Sequence, residues 1–81
     1  MKIKMKYANK NIKYQFEEII IMNKKPSKIE IQNKCIDRAK SKAINYLDNI
    51  FEVFSSNWWN NYYDIRDWTD ANKISAEVIE E

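Results

Sequence analysis

The chain has 81 residues and a formal net charge of only +2, with no glycine, no histidine and one cysteine, Cys35. A chain this short makes one domain and buries only about 60–65% of the surface its unfolded form exposes, so its core is thin. Without glycine there is no phosphate-cradling loop of P-loop or Rossmann type, and without histidine there is neither an imidazole base nor a histidine-ligated metal.

The first segment alternates, with Ile3, Met5 and Tyr7 on one side and Lys2, Lys4 and Lys6 on the other. After Ala8-Asn9-Lys10-Asn11 the alternation resumes with Ile12, Tyr14 and Phe16 against Lys13, Gln15 and Glu17. Period two on both sides of a short polar turn predicts a β-hairpin. At Glu17-Glu18 the phase slips, because Ile19 and Ile21 take the alternate positions, and a bulge there or a bend before Asn23 is expected. Residues 23–28 read as a loop.

Residues 28–32 read two ways. Lys28-Ile29-Glu30-Ile31-Gln32 alternates like a third strand, while Ser27 followed by Glu30 has the spacing of a helix capping box. The reading adopted is the strand, with a helix beginning near Asn33. From there a helical stripe gathers Ile36, Ala43, Leu47, Ile50, Phe51, Phe54 and Trp58 within about 60° of Leu47. Run unbroken to Trp68 this helix would be about 54 Å long, too long for so small a domain, so a break is expected at Ser55-Ser56-Asn57 or Asn60-Asn61. The tail reads as a strand through Ile74, Ala76 and Val78, or as a helix through Ala71, Ile74 and Val78. The strand is the reading adopted. The expected architecture is α+β: a small antiparallel sheet on one long helix, then a short aromatic helix and a C-terminal strand or helix.

Charge is split along the chain. Residues 1–42 carry twelve basic and four acidic residues, +8, and residues 43–81 carry two and eight, −6. Such asymmetry marks either a charged interaction surface or two parts that attract each other in the fold. The lysines Lys2, Lys4, Lys6 and Lys13 are phosphate-gripping candidates, or the solvated guard of an edge strand. Asp64, Asp67 and Asp70 lack the alternate spacing and glycine of a calcium loop, so no metal is expected. No cofactor is expected either. Cys35, with no base to activate it, reads as a small buried residue in a reducing, cytoplasmic setting. The longest apolar run, Ile19-Ile20-Ile21-Met22, falls far short of the ~20 residues of a membrane span, and residues 1–6 lack the apolar stretch of a signal peptide.

Seven of the eleven aromatic residues lie within residues 51–68: Phe51, Phe54, Trp58, Trp59, Tyr62, Tyr63 and Trp68. In helical phase Trp58, Tyr62 and Ile65 continue the core stripe, whereas Trp59 and Tyr63 fall on the side of Asp48 and Glu52. Exposed Trp and Tyr are the types that dominate binding hot spots. The candidate partner-binding set is therefore Asp48, Glu52, Trp59, Tyr63, Asp64 and Asp67.

The run Phe54-x3-Trp58-x3-Tyr62-x-Asp64 resembles a segment of the small phage-encoded type II-A anti-CRISPR proteins. The likeness covers about an eighth of the chain. That family opens with a helix and is acidic throughout, whereas this chain opens with a basic hairpin. The resemblance implies an inhibitor that occupies an RNA-guided nuclease's site for the short duplex motif beside its target, acting in the host cytoplasm. The function expected is thus a non-catalytic, protein-binding inhibitor. The alternatives are a small nucleic-acid-binding module using the lysine face, and a subunit that oligomerises through its aromatic cluster.

Overall fold

The computed structural model describes residues 1–23 and 25–80. Two strands, β1 (Lys2–Asn9) and β2 (Tyr14–Ile21), form the expected hairpin, followed by helices α1 (Lys28–Ile50) and α2 (Ser56–Arg66) and a strand β3 (Asn72–Glu80). Both pairings are antiparallel and the strand order is β2-β1-β3. The α+β class and the strand reading of the tail hold. β1 is the central strand, so its lysines do not guard an edge.

The hairpin closes over residues 10–13 between the paired Asn9 and Tyr14. Asn9 Oδ1 accepts from the Asn11 amide at 2.9 Å and folds the loop back on the strand end. With no glycine in the chain, the left-handed position at the loop's end falls to Lys13, at φ 52°.

β2 corrects the expected phase slip. Its register against β1 runs unbroken from Asn9↔Tyr14 to Lys2↔Ile21. Tyr14, Phe16, Glu18 and Ile20 face α1, while Ile19 and Ile21 are exposed. Glu18 holds a core-side position because α1 supplies its counter-charges: Arg38 grips the carboxylate at 2.7 and 2.8 Å, and Lys42 approaches to 3.8 Å. These hydrogen bonds hold the Glu18 carboxyl below its ordinary pKa.

The reading of residues 28–32 as a strand is also corrected. α1 starts at Lys28, capped by the extended Ser27, whose hydroxyl accepts from the Glu30 amide at 3.2 Å. The Ser27 cap outweighs five residues of alternation, and of these residues Ile31 packs against the core while Ile29 is left exposed. α1 buries Cys35, Ala39, Ala43 and Leu47, four positions at i, i+4 spacing. These side chains share one core with Ile3, Met5 and Tyr7 of β1, all fully or almost fully buried. Burial pushes the Cys35 thiol pKa up, which keeps it protonated.

A polar cluster joins the strand ends to α2. Tyr7 donates from its hydroxyl to Asn72 Oδ1 at 2.6 Å, and Asn9 Nδ2 donates to the same oxygen at 3.0 Å. Asn72 Nδ2 in turn donates to the carbonyls of Asp64 and Thr69, each at 3.1 Å. Among the described residues no buried side-chain polar atom lacks a partner. None of the described helices is long and apolar enough to cross a membrane.

Candidate functional site

The break between the helices sets the geometry of the aromatic residues. α1 ends at Ile50 with Phe51 as its cap, and four residues later Ser55 caps α2, its side chain accepting from the Trp58 amide at 3.3 Å. The break thus runs over residues 51–55 and reaches the first predicted position at Ser55, which starts the new helix; Asn60-Asn61 lies inside α2. Phe54 sits inside this connection in the left-handed region, at φ 67°. That conformation costs a non-glycine residue roughly 1–2 kcal/mol.

Phe54 was expected in the core and is instead 65% exposed, and Ile50 is exposed as well. Phe54 was placed on the core stripe by extending one helical phase through a chain that leaves the helix at Phe51, whereas Ile50 is the last residue of α1 and lies at the margin of the stripe. Within α2 the predicted grouping holds: Trp58 and Ile65 are buried, Tyr62 is half-buried, and Trp59 and Tyr63 are exposed at 37% and 44%.

The rings form two rows. In the inner row Trp58 stacks on Tyr62, with centroids 5.2 Å apart and planes 7° from parallel. In the outer row Phe54 stacks on Trp59 (5.5 Å, 18°) and Trp59 on Tyr63 (5.6 Å, 25°). The rows meet edge to face, Trp58 against Trp59 at 4.9 Å and 87°. The Arg66 guanidinium lies over Tyr63, 4.6 Å from the ring centroid, and ends the outer row. Spacings of i, i+4 on α2 build the stacks, and the left-handed turn at Phe54 carries the outer row onto the connection. The product is an exposed aromatic ridge of Phe54, Trp59 and Tyr63.

The acidic candidates are placed unevenly around it. Asp67 binds Arg66 at 3.0 and 3.3 Å and so stands at the Tyr63 end, where the guanidinium holds its carboxyl below the usual range. Asp48 accepts from Trp58 Nε1 at 2.8 Å, which fixes the inner row to the last turns of α1. Glu52 lies in the connection, exposed, two residues before Phe54. Asp64 does not join them: its carboxylate accepts from Asn11 in the hairpin loop at 3.3 Å. Phe54 and Arg66 are ridge residues that the sequence reading missed as such. Tyr63 followed three residues later by Arg66 is a helical cation–π spacing, and it was the available signal for the second.

Among the described residues no group of acidic or cysteine side chains is placed to hold a metal ion. The lysines of β1 are paired across the sheet: Lys2 with Glu80 at 3.4 Å, and Lys4 and Lys6 both with Glu17 at 3.8 and 3.4 Å. Among the described residues, Lys2–Glu80 is the one ion pair that joins the basic and acidic parts of the chain. Among the described residues Asp48, Glu52, Asp64 and Asp70 form no ion pair. Comparison with family models, curated proteins and solved structures finds no match, so the site rests on its own geometry.

Proposed function

We propose that this chain is a non-catalytic protein-binding module that acts by covering a surface of its partner. One observation carries the reading: three large aromatic side chains, Phe54 on a connection with a left-handed backbone and Trp59 and Tyr63 on α2, are stacked into an exposed ridge. Rings pre-ordered by stacking lose little rotamer freedom when a partner covers them, which is what a binding anchor requires. The acidic side chains around the ridge without ion pairs suit a partner whose rim is basic.

The ridge does not suit single-stranded nucleic acid. Successive bases stack on free ring faces, and here Trp59 lies between Phe54 and Tyr63, and Tyr63 has Trp59 and Arg66 for neighbours, so at most Phe54 offers an open face. The phosphate-binding alternative through Lys2, Lys4 and Lys6 loses support from the carboxylates that share those lysines.

The partner class proposed is a host defence complex, and the resemblance to anti-CRISPR proteins names an RNA-guided nuclease as the first to try. Of the four residues in that resemblance only Phe54 belongs to the ridge; Trp58 is buried, Tyr62 is half-buried and Asp64 bonds to Asn11. The reading therefore rests on the ridge. Affinity capture with the wild-type chain, identification of the bound protein and titration with purified partner test it. Trp59→Ala and Tyr63→Ala are each expected to stay folded and to weaken binding by tenfold or more. Unchanged affinity in both variants overturns the assignment of the ridge. Cleavage assays with type II-A nucleases test the narrower partner class directly.

A further inference from the structure

β3 is an edge strand, and its C-terminal part is more exposed than the other edge, β2. β2 lies against α1 through Glu18 with Arg38, Phe16 with Lys42, and Tyr14 stacked on Tyr46. Residues 75–80 of β3 are all exposed. They include Ala76 and Val78, which pair with Met5 and Ile3 and so belong to the face that α1 covers elsewhere. Beside them a groove of about 380 Å³ opens between β3 and the first turns of α1, lined by Ile31, Cys35, Ala76 and Val78 among others. A long exposed edge is a template for another strand, and natural sheets blunt such edges with proline, inward-pointing charge or a bulge. β3 has no proline, and its residues 72, 74, 76 and 78 carry no charge. Its register shift, opposite Lys2/Ile3, lies beyond Val78 and leaves residues 72–78 regular.

We propose that β3 pairs antiparallel with β3 of a second copy about a two-fold axis at Ser75, making one continuous six-stranded sheet. The charges select this occupant and this register. Lys73 and Glu77 are the charged residues of 72–78; they lie on the open face, paired with Ala8 and Lys4 of β1. Neither forms an ion pair among the described residues. With Ser75 opposite Ser75 of the copy, Lys73 of each chain stands opposite Glu77 of the other, twice by symmetry. Parallel in-register pairing would set lysine against lysine and glutamate against glutamate. On the covered face the same antiparallel register sets Ile74 opposite Ala76 and extends the apolar layer across the seam. The aromatic ridge takes no part in this contact.

Sedimentation equilibrium and light scattering on the purified chain at 10–500 µM (roughly, the range for a modest dimer) test the proposal. The wild type is expected to show a concentration-dependent dimer. Lys73→Glu and Glu77→Lys each place like charges opposite one another and are expected to be folded monomers by circular dichroism. An equimolar mixture of the two single variants restores both opposite-charge pairs and is expected to recover the dimer, as is the double variant Lys73→Glu/Glu77→Lys. Trp59→Ala is expected to leave the dimer intact. A wild type that is monomeric throughout overturns the proposal, as does a dimer that survives both single charge reversals or is lost with Trp59→Ala.

Discussion

Asn72 accepts hydrogen bonds from Tyr7 and Asn9 and donates to two carbonyls, so it ties β1, β3 and the end of α2 together. Asn72→Ala leaves these groups buried without their partner, and the expected loss is about 3 kcal/mol, measured by urea denaturation. In the sequence Asn9 was legible only as a turn residue. A short amide at a strand end looks the same whether it faces water or, as here, a partner 63 residues away. Phe54 was misread for a different reason: helical phase carries no meaning past a cap, and Phe51 already caps α1. Its left-handed backbone makes Phe54→Gly informative, because glycine relieves strain while removing the ring. Phe54→Gly is expected to keep its melting temperature within a few degrees of wild type and to weaken partner binding by tenfold or more. Trp58→Ala, by contrast, removes a buried ring and is expected to cost about 3–5 kcal/mol and leave the chain largely unfolded.

At the scale of elements, the hairpin, the long helix and the tail strand were legible because period two and period 3.6 each ran for several residues. β2 was only half legible. Four apolar residues in a row conceal which pair faces the core, and a charged side chain is rarely given the buried alternative. Arg38 and Lys42 near the middle of α1 settle the phase by pairing with Glu18. Because folding lowers the Glu18 pKa, the stabilisation it gives is complete above the ordinary carboxylate value of 4.5. That contribution is lost as pH falls through the lower folded value. Between pH 7 and the acid end the wild type is expected to lose about 1 kcal/mol that Glu18→Gln does not lose, read from melting curves of both proteins. Ser27→Ala is expected to cost about 1 kcal/mol by removing the α1 cap, and the melting temperature measures it.

The whole molecule is a three-stranded sheet covered on one face, with its aromatic ridge on α2 and the connection that precedes it. The fold class was legible because alternation and helical stripes occupy separate stretches of chain. The candidate site was legible in part: Trp59 and Tyr63 follow from phase within α2, whereas the ridge as an object depends on the turn at Phe54. Charge partition also operates at this scale. Asp48→Lys and Glu52→Lys are expected to slow association with a basic-rimmed partner and to flatten its dependence on ionic strength, both measured by stopped-flow mixing.

The central position of β1 has a kinetic consequence. Its bonds to β2 close a loop of a few residues, but its contacts with β3 join groups about 65 positions apart. Closing the longer loop costs about 2 kcal/mol more in chain entropy. The helix pair and the hairpin can form locally, and the rate of folding is then governed by the late arrival of β3. Ile74→Val, in the middle of the β1–β3 ladder, is expected to slow refolding as well as to accelerate unfolding, because the contacts it weakens form in the rate-limiting step. Until β3 docks, the side of β1 that it will cover stays open to any strand within reach, so refolding yield should fall as protein concentration rises.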